Sequence, residues 1–169
     1  PYFDEQEDLS VYASGFHQRL RARDGSVRWA YEPAGGGALP FVMGVGHLQT
    51  AKTVIILEGA WDAVCLASVG GWLDHDTAWP EDVVIFGMRG AKATGLFTKH
   101  WLPLIPRTTT VNLVPDTDKE GLKWISPTGF LKHFIEADLK TTSTILPAKD
   151  FTDAHRANSY TPQDIRILF

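Results

Sequence analysis

Four short apolar runs punctuate the chain after residue 50: TVIIL at 53–57, DVVIF at 82–86, TTVNLV at 109–114 and TSTILP at 142–147. Continuous apolar runs of this length suit strands buried on both faces. The segments between them carry apolar residues at helical spacing. AWDAVCLASVG at 60–70 closes on Gly70. GLFTKHWLPLI at 95–105 reads as a second helix. KEGLKWISPTGFLKHFIEADL at 119–139 reads as a third, which Pro127 is expected to kink or split. After the last run, KDFTDAHRAN resembles a short capped helix, and TPQDIRILF another with Pro162 in its first turn. Strand alternating with helix in this way predicts an α/β fold, with a parallel sheet of about four strands and helices on both faces. Trp61, Cys65, Leu66, Leu131, Phe134 and Ile135 are the expected core-facing helix positions.

The first 50 residues have a different texture. GFHQRLRARDGSVRWAYEP alternates side-chain types on either side of Asp24-Gly25, a strong tight-turn signal. This predicts a small antiparallel β segment ahead of the parallel sheet. Arg19, Arg21 and Arg23 fall on one face by the period of two. That face is either simply solvated or a stripe that contacts phosphates. EPAGGGALP is a flexible loop, and the G-x-G of MGVGHL lacks the continuation that a dinucleotide fingerprint needs. The expected division is a β-hairpin subdomain over 1–50 and a catalytic domain over 51–169. The first residue is Pro1, and PYFDEQEDL reads as the middle of a sheet-forming segment, so an excised domain of a longer protein is expected.

Composition narrows the functional classes. A net charge of -4 argues against gripping nucleic acid by bulk charge alone, though not against a local basic track or an acidic metal site. No apolar run approaches a membrane span, so no membrane partner is expected. Cys65 is the lone cysteine, which suits a reducing cytoplasm. The histidines are scattered and no Cys/His cluster has zinc spacing.

Acidic residues follow the strands. Glu58-Gly59 comes after the first, with Asp62 one helical turn onward. Asp116 and Asp118 come after the third, in VNLVPDTDKEG, and Lys149-Asp150 and Asp153 come after the fourth. In a parallel sheet these ends share one rim, where such folds place their working site. Crowded carboxylates raise each other's pKa, and a divalent cation removes that cost. Asp and Glu oxygens are hard ligands suited to Mg²⁺. The plainer reading is helix capping: Asp118 for a helix at Lys119, and Asp150 for its own helix. For Glu58, Asp116 and Asp118 taken together, the metal site is the stronger expectation.

VIILEGAWDAVCL, then VVIFGMRGA, then VNLVPDTDKEGLKW resembles the Toprim domain shared by bacterial-type primases, type IA and type II topoisomerases, OLD-family nucleases and recombination mediators. Its signature is a glutamate after the first strand and a D-x-D after the third. The E-G-x-x-D form and the closing LPAKDFTDAHR are similar to phage and plasmid primases and primase-helicases. The resemblance implies a Rossmannoid Toprim-like fold. It implies Glu58 as general acid/base or metal ligand, Asp116 and Asp118 as metal ligands, Asp62 as a further catalytic acid, and Asp150 as a late metal ligand. Arg89 and Lys92 match the loop that faces the site in that family. The chain departs from the pattern at Glu120, where a small residue is usual, and in having no zinc-binding module. This chain alone is therefore expected to prime weakly or not at all.

The implied activity is metal-dependent nucleotidyl transfer: RNA primer synthesis on single-stranded DNA for replication. It would use nucleoside triphosphates and Mg²⁺ or Mn²⁺, with two ions, and a helicase as partner in the same or another chain. Arg21, Arg23, Arg89 and Lys92 are the candidate nucleic-acid and nucleotide contacts. The alternatives are an OLD-like nuclease, in which water replaces the 3′-hydroxyl, and a non-catalytic module that binds DNA or protein. Topoisomerase action lacks a tyrosine in supporting context. A haloacid-dehalogenase phosphatase would carry its D-x-D after the first strand, and Glu58 would have no role.

Overall fold

A computed structural model describes residues 40–74, 76–89 and 93–169, together with the backbone of 16–21 and 27–32. The chain divides into two compact units, Pro1–Gly37 and Ala38–Phe169. In the first, β1 (Phe16–Arg21) and β2 (Val27–Glu32) pair antiparallel, with Arg21 opposite Val27. The turn signal at Asp24-Gly25 lies between them, outside the described residues.

The second unit is an α/β fold of Rossmannoid type. Its five-stranded sheet has the order β3-β5-β4-β6-β7. The strands are β3 (Phe41–Met43), β4 (Thr53–Leu57), β5 (Val83–Gly87), β6 (Thr110–Val114) and β7 (Lys140–Ser143). The last four run parallel, and β3 pairs antiparallel with β5. Residues 38–50, read from sequence with the hairpin segment, thus sit in the second unit, because β3 completes this sheet.

The helices are α1 (Ala60–Val69), α2 (Thr94–His100), α3 (Leu131–Glu136), α4 (Phe151–Asn158) and α5 (Pro162–Leu168). They form two layers, because alternate strand residues face opposite ways. Ile55, Leu57, Ile85 and Val114 pack with Leu66 of α1, Phe151 of α4 and Ile165 of α5. Val54, Ile56, Val84, Phe86, Val111 and Leu113 pack with Phe97 of α2, Trp124, Phe130 and Phe134 of α3. Each fully buried side chain of this kind stabilises by about 1.5–3 kcal/mol over its exposed state.

Several elements differ from the sequence reading. The stretch 119–139 is split, as Pro127 suggested, into a 3-10 helix at Gly121–Ile125 and α3. The second helix ends at His100, and Leu102–Leu104 continues as a 3-10 turn around Pro103, which lacks the N–H an α-helix needs. The fourth strand falls at 140–143 rather than 142–147. An outer strand of the sheet needs no apolar run, and β7 is polar and largely exposed. Ile145 is exposed and Leu146 turns into the core instead. Trp61 and Ile135 are also exposed, contrary to their expected core positions, whereas Leu66 and Phe134 are fully buried. Cys65 and Leu131 are half-buried against the two cores.

The helix α1 lies close over β5 at Gly87. A Cβ there would come within 2.6 Å of Ala60 Cα and 2.9 Å of Ala63 Cβ. Gly87→Ala is expected to destabilise the fold by about 1–3 kcal/mol through overpacking, measured by urea unfolding. A neutral result would show that α1 is not seated on β5 this tightly.

Candidate acidic site at the sheet's carboxyl edge

The chain leaves β4 toward β5 through α1, then crosses back past β4 to reach β6. Neighbouring connections therefore diverge between β4 and β6. This is a switch point, where open α/β sheets leave a crevice beyond the strand ends. The register pairs Leu57 with Val114. The residues just past those two positions therefore meet: Glu58 after β4, and Pro115-Asp116 after β6.

Glu58 is buried, at 9 % exposure, and its Oε2 accepts a hydrogen bond of 3.4 Å from the Asp116 backbone N–H. Gly121 presses against both residues. A side chain at 121 would run into the Asp116 carbonyl oxygen, and its Cβ would lie 2.7 Å from Glu58 Oε2. Burial, then the neighbouring carboxylates of Glu58, Asp62 and Asp150, push the Asp116 carboxyl up to about 7, with Lys149 opposing only in part. Asp116 therefore senses three other acids, two from the β4–α1 junction and one from the start of α4.

The remaining acids are each held by local donors. Asp118 is exposed, and its Oδ1 accepts from the backbone N–H groups of Gly121 at 2.9 Å and Glu120 at 3.0 Å. Those bonds, the Gly121 one foremost, hold its carboxyl below the usual range. Asp62 lies in the first turn of α1, and its Oδ1 accepts from Thr152 Oγ1 at 2.7 Å and Thr152 N–H at 3.0 Å. Burial nonetheless raises the Asp62 carboxyl. Asp62 lies close over Gly59, where a Cβ would collide with its Oδ2 as it is now oriented. Asp150 caps α4 by accepting from the Asp153 N–H at 2.8 Å, and Asp153 pairs with Arg156. The capping reading of Asp150 thus holds alongside its charge effect on Asp116.

The basic candidates fare differently. A single antiparallel bridge pairs Arg89 with Gly59, which puts the Arg89 backbone on this rim. Arg23 and Lys92 lie outside the described residues, and Arg21 is described only as the backbone end of β1 in the other unit. Lys149 was read from sequence only as the companion of Asp150. Its charge acts on both Asp116 and Asp118. Thr152 and Thr117 were missed altogether. Thr117 donates from N–H to the Lys149 carbonyl at 2.8 Å and from Oγ1 to the Ala148 carbonyl at 3.1 Å, tying the D-x-D loop to the segment before α4. No sequence signal marks these threonines beyond their place between acids.

Among the described residues, no three His, Cys, Asp or Glu side chains stand close enough together to ligate one ion. The donor chemistry nonetheless fits a hard cation: carboxylate oxygens, with Asp116 only partly compensated by Lys149 in a partly buried position. Burial raises the Cys65 thiol, unlike an activated nucleophile. In comparison with known proteins, no family model matches this chain, and no curated protein matches it significantly.

The raised Asp116 carboxyl has a definite consequence for stability. An unfolded aspartate titrates at about 3.9, so from about pH 4 to about 7 the folded chain holds a proton that the unfolded chain has lost. Stability then falls as pH rises through that window. In EDTA, the melting temperature is expected to drop over this range, less steeply in Asp116→Asn. Added Mg²⁺ should raise it near pH 7 in the native chain more than in the variant. Calorimetry at several pH values checks this, and identical pH slopes for the two proteins would contradict it.

Proposed function

We propose that this chain is a Toprim-type domain that performs metal-dependent nucleotidyl transfer, making RNA primers on single-stranded DNA. The observation that carries the reading is the contact of the Glu58 carboxylate with the Asp116 N–H at the switch point of the sheet, with Asp118 on the same short loop. Glutamate after the first parallel strand and D-x-D after the third is the arrangement that the sequence resemblance implies.

In this reading Asp116, Asp118 and Glu58 would hold Mg²⁺, with Asp150 nearby. The bound ion would offset charge on the triphosphate and its departing pyrophosphate. The bond formed joins a primer 3′-oxygen to the α-phosphorus, and the bond broken releases pyrophosphate. If Glu58 does not ligate the ion, it would instead accept the hydroxyl proton from its buried seat at the end of β4. Thr152 would hold Asp62 in one orientation through two hydrogen bonds. Lys149 and Arg89 lie on the rim where triphosphate charge would arrive. Template DNA, nucleoside triphosphates and a helicase are the partners of such a reaction. No helix among the described residues is long and apolar enough to cross a membrane, and Cys65 as sole cysteine suits a reducing cytoplasm.

The test is primer synthesis by the protein in its natural full-length context, from labelled ribonucleoside triphosphates on single-stranded DNA with Mg²⁺ or Mn²⁺. Asp116→Asn and Asp118→Asn should each lower the yield at least about a hundredfold, the scale of losing one transition-state contact. Nicking of a plasmid without primer formation would replace this reading with hydrolysis. Unchanged DNA binding with neither activity would replace it with a non-catalytic module.

A further inference from the structure

A pocket of about 250 Å³ opens on the α2–α3 side of the sheet. Its lining includes Trp124, Phe130, Thr94, Thr128, Glu120 and His133. Trp124 and Phe130 are almost wholly buried and pack edge to face, with centroids 5.1 Å apart. They give the pocket an aromatic floor. The His133 ring stands against Phe130 at 6.5 Å. Two threonine hydroxyls, an imidazole and the ion pair of Glu120 with Lys123 supply donors and acceptors around that floor. The Trp124 indole also carries a buried Nε1–H with no acceptor among the described residues, an uncommon state for a buried donor. An aromatic base ringed by mixed hydrogen-bonding groups suits a planar heteroaromatic ligand.

The pocket is physically joined to the acidic rim. Gly121, which touches Glu58 and Asp116, begins the 3-10 helix whose fourth residue is Trp124. Three residues of that helix span about 6 Å. Glu120 lines the pocket while its N–H bonds the Asp118 carboxylate. A phosphate held at the rim would therefore place the attached nucleoside within reach of the pocket.

We propose that this pocket is a nucleobase subsite. It takes the base of a nucleotide whose phosphates lie at the acidic rim. The inference rests on the nucleotidyl-transfer reading for the class of ligand, but binding of the base itself needs neither metal nor phosphate.

The experiment uses the full chain in EDTA, titrated with adenosine, guanosine, cytidine and uridine while the Trp124 indole and His133 NMR signals are followed. At least one nucleoside is expected to move both signals saturably, and ribose 5-phosphate to leave them in place. Thr128→Phe, which fills the pocket from an exposed position, and His133→Ala should each weaken that affinity about tenfold or more, as loss of a base contact does. Their spectra away from the pocket report that they fold. If no nucleoside moves these signals, if ribose 5-phosphate moves them equally, or if both variants bind as the native chain does, the subsite is overturned. Because the nucleosides lack phosphate and EDTA removes divalent ions, the two readings fail separately. Primer synthesis without nucleoside binding overturns the subsite alone. Nucleoside binding without any metal-dependent reaction overturns the reaction and leaves the subsite standing.

Discussion

The register of β4 against β6 is the constraint on which the site depends. Leu57 lies beside Val114, so the two chains run out of the sheet together and then part to opposite faces. Whatever follows those residues is forced into one crevice. Here that is Glu58 and Asp116. A shift of one residue in this ladder would turn the buried alternation of β6 inside out. It would also exchange Asp116 for its neighbour. Hydrophobic burial of Val111 and Leu113 on one face and Val114 on the other thus fixes the acidic pair as firmly as it fixes the core.

Around this pair, the protein distributes its carboxylates between two kinds of environment. Asp118, Asp62 and Asp150 each accept hydrogen bonds from nearby donors, although burial still raises the Asp62 carboxyl. Asp116 has burial and like charges to oppose and only the charge of Lys149 to help it. The electrostatic cost of the cluster therefore falls in part on Asp62 and most heavily on Asp116. That side chain is also the one whose backbone touches Glu58 and whose carbonyl limits position 121 to glycine.

The sequence disclosed the three inner strands well, because a strand covered on both faces must be apolar throughout. It disclosed the outer strand poorly. Lys140-Thr141-Thr142-Ser143 carries no apolar signature, and the more hydrophobic residues beside it drew the boundary away. The helices were found, but their facing was harder to read. At the first turn of α1 and on the six-residue α3, spacing alone does not decide facing, and Trp61 and Ile135 lie on the outer side. The acids were legible by type and order, since topology alone brings strand ends together. Their partners were not. Thr152 meets Asp62 across 90 positions of chain, and no local pattern reports such a pairing.

The sheet separates two apolar clusters that share no residue. Asp62 and Asp150 belong to the helical layer on one side, and Asp118 and Gly121 to the layer on the other. Anything that grips acids from both sides at once would act as a rivet through the sheet edge. It would add to the strands and to the Thr117 hydrogen bonds that already tie the two sides, and the layers would then loosen together rather than one at a time.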